Sequence, residues 1–259
     1  MKAIYKRELS TYFRSPIGWI AIAIATGFAG FFFFVYITGG AMDIAGEIAF
    51  VQSSVLFISP IITMRLFSEE KKNGTEVLLY TNPISLLSAV AGKFFAAMTL
   101  LAVMLFSTIF HAFVTAFFGG RVDATFLGAL ISFLFVSAVF IAIGLLISAA
   151  TENQIVAAII SFVIVFVVTS FFGLIASSVQ SVVQTVLNFF TGFGLSTTTI
   201  STIGQSVYDG IIWADPISRL GNINLGVFEI SPLVYCLSLV AFFLFLTYRI
   251  LEKRRWSQG

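Results

Sequence analysis

The chain has 259 residues, of which 59% are hydrophobic and 10% charged, with a net charge of +2 and a mean hydropathy of +1.04. A soluble domain carries about 25% charged residues, so this composition excludes an ordinary soluble protein. The basic residues lie beside apolar segments and form no face with interleaved aromatic residues, which gives nucleic-acid binding no support. We predict an all-α integral membrane protein with a single domain, residues 1–259.

Long uncharged runs mark the predicted membrane spans. A spanning helix needs about 20 apolar residues, and residues 94–120 and 153–208 contain no Asp, Glu, Lys or Arg. We predict six spans, at Ile17–Thr38, Ile48–Met64, Ser88–Phe113, Phe126–Ala149, Ile155–Ala176 and Leu233–Leu251. Residues 85–118 as one helix reach about 50 Å, against a hydrocarbon core of about 30 Å. The start of the third span should therefore protrude, with Lys93 near the headgroups.

The basic residues also predict orientation. With an even number of spans both termini lie on one side, and 12 of the 14 Lys and Arg residues then share that side. Only Arg121 and Arg219 fall on the other side, together with acids such as Asp43 and Glu47. By the positive-inside rule the basic side is the cytoplasm. We predict a multi-pass protein of the inner or plasma membrane with both termini in the cytoplasm.

Residues 1–15 are predicted to form an interfacial helix before the first span. Its apolar residues recur at helical spacing, at Tyr5, Leu9, Tyr12 and Phe13. A polar face opposite them is typical of a helix that lies on the inner leaflet. A basic flank that only sets topology is the alternative interpretation. The first span is interpreted as a retained anchor, because its apolar run continues well beyond a signal-like triplet at 21–23.

The segment 178–231, between the fifth and sixth spans, is neither soluble-like nor clearly spanning. Gln180, Gln184 and Asn188 form a polar stripe beside an apolar face, and several glycines interrupt the residues that follow. We predict short helices or a re-entrant pair near the outer leaflet, where other protein or water covers the broken backbone.

Few residues can support catalysis. The single histidine, His111, has no partner in a His-Glu-x-x-His motif, and no Gly-x-Ser-x-Gly elbow is present. Residues 91–93, Ala-Gly-Lys, lack the upstream glycine and the hydroxyl residue of a phosphate loop. We predict no catalytic residue, metal site or cofactor in this chain. Glu152 is interpreted as part of a tight turn, and Cys236 as a small buried hydrophobe.

The connection at 65–85 is the most informative segment. A charged stretch that includes Glu69 and Glu70 ends at Asn73-Gly74, a helix stop signal. A short apolar helix is predicted from Thr75 to Tyr80, and the following Asn-Pro pair turns the chain into the third span. It would lie across the membrane face as a short bar. From the residues alone, an ordinary charged loop remains the alternative.

This connection resembles the hallmark cytoplasmic loop of ABC type-2 exporter permeases. The resemblance rests on the acid-acid-basic-basic run and on Gly74-Thr75, Glu76, Leu78-Leu79, Pro83 and Ser85. The chain end, Tyr235 to Trp256, is similar to the gliding-motility-type branch of that family. The resemblance implies a six-helix permease that pairs with a second, identical or homologous permease within the lipid bilayer. It also implies two ATP-binding-cassette ATPase subunits as partners, which would bind the ATP and Mg²⁺.

The resemblance further implies a role for individual residues. The residues that would couple the chain to the ATPase are Glu69, Glu70, Gly74, Thr75, Glu76, Leu78, Leu79 and Pro83. The interfacial helix would pack beside them through Tyr5, Leu9, Tyr12 and Phe13. The polar stripe of Gln180, Gln184 and Asn188 is a candidate lining for the exit path. Two other classes remain alternatives, a non-transporting membrane scaffold and an ion-coupled secondary transporter, although the latter usually needs ionisable residues inside the spans.

The predicted topology can be tested with single cysteines in a Cys236-free background. In intact cells a membrane-impermeant thiol reagent should label Arg121→Cys and should leave Lys72→Cys and Gln258→Cys unlabelled, because the basic residues predict that positions 72 and 258 are cytoplasmic. Labelling of positions 72 and 258 from outside would overturn the topology.

Overall fold

The computed structural model describes residues 1–40, 44–76, 85–189 and 196–257. Helix makes up 86% of the structure, and the described residues form no strand. The helices are α1 Lys2–Arg14, α2 Pro16–Thr38, α3 Ile44–Thr63, α4 Ser68–Lys72, α5 Leu86–Phe117, α6 Ala124–Ala150, α7 Gln154–Asn188, α8 Thr197–Ile212, α9 Pro216–Arg219, α10 Gly221–Asn224 and α11 Ile230–Ser257.

Six helices in the described part are long and apolar enough to cross a membrane, which confirms the predicted all-α membrane fold. The predicted spans lie within α2, α3, α5, α6, α7 and α11, and most of these helices extend beyond the predicted ends. One extension changes an assignment. Glu47, predicted in an outer connection, lies in the first turn of α3, where a carboxylate is favoured by the helix dipole.

The largest difference from the predicted boundaries is in α7. The fifth span was predicted to end at Ala176, but the helix continues without a break to Asn188 and has 35 residues, about 52 Å at 1.5 Å per residue. Residues 175–188 contain no glycine or proline, so nothing in the local sequence ends the helix. The polar stripe therefore lies on the end of α7. The short helices predicted after it are present as α8, α9 and α10.

The helix α6 forms the centre of the bundle. In its most apolar stretch 72% of the residues are buried, against 17% in α2 and in α7. It packs against α3, α5, α7 and α11. Gly144 allows α3 to come close, because a Cβ atom at this position would lie 2.1 Å from Oγ1 of Thr63. Small residues at such crossings are typical of helices that pack inside membranes.

The predicted N-terminal helix is present as α1, and it packs against protein. Its apolar residues all contact the bundle core: Tyr5, Leu9, Tyr12 and Phe13. The hydroxyl of the fully buried Tyr12 donates to the carbonyl oxygen of Ile62 over 2.9 Å, and the hydroxyl of Tyr5 lies 3.0 Å from that of Thr99. These contacts fix α1 to both α3 and α5.

The short helices between α7 and α11 are fixed to the bundle at α6. Gly128 of α6 leaves the space that the backbone of α10 occupies, since a Cβ atom there would lie 1.8 Å from the carbonyl oxygen of Ile223. The guanidinium of Arg219 stacks 3.7 Å from the ring centre of Trp213 and 4.4 Å from that of Tyr235 on α11. This end of the structure thus depends on a close backbone contact and a cation–π stack.

We predict that Gly128→Ala destabilises the protein by about 1–3 kcal/mol, because the new methyl group meets backbone that cannot rotate away. Gly173→Ala is the matched control, since that helical glycine has nothing within 4 Å of an added Cβ. Both changes share the intrinsic preference of alanine for helix, so the difference between their unfolding temperatures in detergent measures the contact. Equal temperatures would contradict the packing described for α6 and α10.

Candidate functional site

The connection after α3 turns sharply and leads into α4. Gly74 ends α4 with φ +68°, a left-handed conformation that favours glycine, and the N–H of Thr75 donates to the carbonyl oxygen of Glu70 over 2.9 Å. The predicted helix stop at Asn73-Gly74 is thus confirmed. The predicted short helix is described only at Thr75 and Glu76, which lie in a turn. Residues 77–84, and with them Leu78, Leu79 and Pro83, lie outside the described residues.

The ammonium group of Lys93 joins α1, α4 and α5. Its Nζ lies 2.9 Å from Oε1 of Glu8 on α1 and 3.0 Å from Oε1 of Glu70 on α4. Arg7 of α1 forms ion pairs with the same two carboxylates. We call these four residues the Lys93 cluster; it contains two positive and two negative side chains.

Burial makes the Lys93 cluster different from a surface ion pair. The Lys93 side chain is 1% exposed, and its Nζ also donates to the carbonyl oxygen of Leu66 over 2.5 Å. The ring centre of Phe67 lies 5.1 Å from the same nitrogen. Burial alone would raise the pKa of Glu8, but Lys93 and Arg7 outweigh it, so this pKa lies below its ordinary value. The cluster therefore holds Glu8 charged next to a buried cation.

The other side of the connection is fixed by the end of α6. The hydroxyl of Ser148 accepts hydrogen bonds from the N–H groups of Phe67 and Ser68, over 3.0 and 3.2 Å, and donates to the carbonyl oxygen of Met64. Lys71 of α4 donates to the carbonyl oxygen of Ala149. Where it faces α6, the connection is thus held by neutral hydrogen bonds to Ser148 and by one hydrogen bond from the Lys71 ammonium group.

A third set of contacts involves the end of α11. Arg254 lies 3.8 Å from a carboxylate oxygen of Glu76 and 3.4 Å from one of Glu152. Glu152 stands in the short turn between α6 and α7, as predicted, and Asn153 caps α7 by accepting from the N–H of Ile155. The last spanning helix is therefore linked both to Glu76, a predicted coupling residue, and to the adjacent turn.

A polar pocket opens beside the Lys93 cluster. It has a volume of about 290 Å³, and three of the predicted coupling residues, Glu69, Glu70 and Thr75, line it. Glu69 is the most exposed of these acids and pairs with Arg65 one turn earlier, over 3.4 Å. The pocket is a concave surface at the described half of the connection.

The sequence pattern predicted the acidic residues of the connection but not the residues that bind them. Glu70 and Glu76 were predicted to act toward a partner, and the structure gives both an ion pair within the chain. Lys93 was predicted near the headgroups but is enclosed by protein, because two carboxylates and a carbonyl compensate its charge. A lysine within an otherwise uncharged stretch of helix is the signal that points to such partners. Glu8 and Ser148 carry no comparable signal.

The polar stripe on the end of α7 faces α8. The side-chain nitrogen of Gln180 donates to the side-chain oxygen of Gln205 over 3.3 Å, and Gln184 packs on Gly204, where a Cβ atom would lie 2.6 Å from its Nε2. Asn188 is the last residue of α7. The three residues are thus on one helical hairpin, formed by α7 and α8, rather than near the Lys93 cluster.

Comparison with known families covers the chain from the second half of α3 to the end of α11, and leaves out α1, α2 and the first half of α3. Residues 55–256, well over half of the chain, match the family described as ABC-2 family transporter protein. The matched range contains the connection after α3, Lys93, Ser148 and Arg254. No curated protein matches the chain significantly.

We predict that Lys93→Met destabilises the protein by about 3–5 kcal/mol, because it leaves two largely buried carboxylates without their ammonium partner. Lys72→Met removes the same charge from an exposed side chain on α4 and should change stability by less than about 0.5 kcal/mol. Thermal unfolding of the purified variants measures the difference. Equal unfolding temperatures would show that the Lys93 cluster adds nothing to stability.

The lowered pKa of Glu8 adds a pH test of the same cluster. A carboxylate whose pKa is lowered by folding stabilises the native state above its ordinary pKa, here 4.5, and this contribution is lost as the pH falls through the native pKa. The unfolding temperature of Glu8→Gln should therefore lie below that of the wild type at neutral pH. The gap should close as the solution is acidified below pH 4.5.

Proposed function

Because the chain belongs to the ABC-2 family of transporter proteins, we propose that it is the permease subunit of an ATP-binding-cassette exporter, driven by separate ATPase subunits. Members of this family are the membrane components of ABC transporters, and six apolar helices fit that role. The proposal that ATPase subunits drive this chain rests on one observation: the connection after α3 is attached to several other helices. Ion pairs and hydrogen bonds join it to α1, α5, α6 and α11.

ATP hydrolysis is proposed for the partner because the nearest match to a phosphate loop cannot act as one. Gly92 lies inside α5 and makes room for Ile4 of α1, whose Cγ2 would be 3.2 Å from an added Cβ. Lys93 is engaged by Glu8 and Glu70. A phosphate loop instead presents free backbone N–H groups ahead of a helix, so ATP and Mg²⁺ belong on the partner subunit.

The proposed coupling role of the connection is supported by the attachment of its described half to several helices. A partner that presses on Glu69, Gly74 or Thr75 acts on a segment fixed to α5 through Lys93 and to α6 through Ser148. Closure of two ATPase subunits would then displace several spanning helices together, since packed elements move as units between discrete arrangements. Leu78, Leu79 and Pro83 extend the proposed contact surface beyond the described half.

The translocation path is proposed to form between two permease copies, identical or homologous. The stretches of α2 and α7 with the highest hydropathy are only 17% buried within one chain, so these helices have apolar faces for lipid and for a second copy. At the outer end, Gln180, Gln184 and Asn188 are proposed to line the exit. With the basic end of the chain in the cytoplasm, α1 and the Lys93 cluster would face the ATPase. The gliding-motility-type branch stays a prediction.

We predict that Leu79→Arg lowers the ATPase activity that co-purifies with the affinity-tagged chain from its own host membranes by about tenfold or more. A charge placed in a desolvated contact costs about 2 kcal/mol or more in binding. The control Ile155→Arg adds the same charge at the start of α7, where the native side chain is 69% exposed. Undiminished ATPase recovery with Leu79→Arg would reject the coupling role. If the ATPase co-purifies with the wild-type chain but no substrate stimulates its turnover, a non-transporting scaffold is favoured.

Glu76 needs a separate design, because its carboxylate lies 3.8 Å from Arg254 of the same chain. Glu76→Arg alone disrupts this contact as well as any contact with a partner. All of these variants are made in a Glu152→Gln background, because Arg254 also pairs with Glu152. There, the double variant Glu76→Arg/Arg254→Glu restores an opposite-charge pair within the chain without placing two carboxylates together. If Glu76 binds a basic rim on the ATPase, co-purification stays low in the double variant; if Glu76 acts only through Arg254, co-purification recovers.

A further inference from the structure

An ionisable pair lies inside the bundle at the end opposite α1. Nδ1 of His111, in the last third of α5, is 2.8 Å from Oε1 of Glu47 in the first turn of α3. The Glu47 side chain is 1% exposed and that of His111 14% exposed. The sequence did not predict this pair, because Glu47 was assigned to a connection outside the spans. Ionisable residues inside spanning segments are expensive and usually functional.

Three helices meet at this pair. The ring of Phe33 on α2 stacks flat on the imidazole of His111, with 4.1 Å between ring centres and 4° between planes. Glu47 contributes α3 and His111 contributes α5. The geometry allows one proton to be shared between Nδ1 and Oε1, and any movement of α3 away from α5 at this end breaks that hydrogen bond.

Among the described residues, no third charged side chain forms an ion pair with Glu47 or His111. Helices α2, α6 and α7 contain no Asp, Glu, Lys or Arg, and Tyr36 is the only ionisable side chain on α2. Lys93 is 18 residues from His111 along α5, about 27 Å. On α11 the hydroxyl of Tyr235 donates to the carbonyl oxygen of Ala214. Asp43 lies outside the described residues.

The pair is also incompletely hydrogen bonded. The hydroxyl of Thr108, one turn before His111, lies beside the Glu47 carboxylate, yet neither that hydroxyl nor Oε2 of Glu47 makes a hydrogen bond of acceptable geometry within the described residues. An uncompensated buried charge costs several kcal/mol. The pair avoids this cost when it holds one proton more than a carboxylate and a neutral imidazole, since its net charge is then zero.

We propose that Glu47 and His111 form a proton-binding site, which exchanges its proton with water through the partly exposed imidazole. Binding of the proton neutralises the pair and favours contact between α3 and α5. Loss of the proton leaves a net negative charge among apolar side chains and favours their separation. The site itself does not depend on the proposed transport function. In an exporter it would make the opening of this end of the bundle sensitive to the pH on that side.

The chain contains one histidine, so NMR of histidine-labelled protein, purified with a histidine-free tag and placed in lipid nanodiscs, reports His111 alone. Between about pH 5 and about pH 9 the wild-type imidazole signal should report loss of the proton that the pair shares. Glu47→Gln should move the midpoint by about one pH unit or more, since a charged partner within 4 Å shifts titration by that amount. Glu229→Gln, whose carboxylate is bonded to Asn222 instead, should leave the midpoint unchanged.

Two results would overturn the proposal. A wild-type signal that stays constant over the whole pH range would show that the pair does not exchange a proton with water between these limits. The same midpoint in wild type and Glu47→Gln would show that the carboxylate is not part of the site. Glu47→Asp, which keeps the charge but shortens the side chain by one methylene, provides the second comparison if Glu47→Gln does not fold; an unchanged midpoint in Glu47→Asp would likewise count against the pair.

Discussion

The buried ammonium group of Lys93 is the interaction on which the arrangement of the α1 end depends. An exposed ion pair contributes about 0–1 kcal/mol and can break at little cost, whereas a buried charge that loses its partner costs several kcal/mol. Glu8 and Glu70 therefore have to remain beside Lys93, which keeps α1 and α4 against α5. The amphipathic α1 is a structural part of the bundle for this reason, and not only a helix resting on lipid.

The described ion pairs lie at the two ends of the bundle. Between these ends, the helices are held together by close packing. Along α5 the stretch from Lys93 to His111 contains no ionisable residue. In that region the buried positions of α2 are small residues, Ala25 and Ala29. Without water to drive apolar surfaces together, close packing and hydrogen bonds hold membrane helices to each other.

Local patterns predicted the features that depend on neighbouring residues. Uncharged runs located the six spans, and Asn73-Gly74 located the end of α4, because hydropathy and the left-handed glycine act within a few residues. The contact between Lys93 and Glu8 joins positions 85 residues apart, and that between Arg254 and Glu152 joins positions 102 apart. The pattern of residues in a single sequence does not show which distant positions pair.

Two errors came from treating polarity as a boundary. Glu47 was assigned to a connection because it is charged, although His111 compensates it inside the bundle. The fifth span was ended near Ala176 because polar residues begin there, although these residues are good enough helix formers to continue α7 to Asn188. Hydropathy indicates which residues can lie in lipid, whereas helix length depends on backbone preferences. The end of the apolar segment and the end of the helix therefore differ where a helix leaves the membrane.

The length of α7 gives it a mechanical property that shorter spans lack. The helix is capped at its beginning by Asn153 and packs against α3 and α6, while Gln180 and Gln184 near its end contact α8. A rigid rod of about 52 Å that pivots by about 10° at one end moves its far end by about 9 Å. That excursion equals the distance between the axes of two packed helices, about 8–10 Å. A rotation small enough to preserve the contacts inside the membrane can therefore open or close a gap one helix wide at the opposite surface.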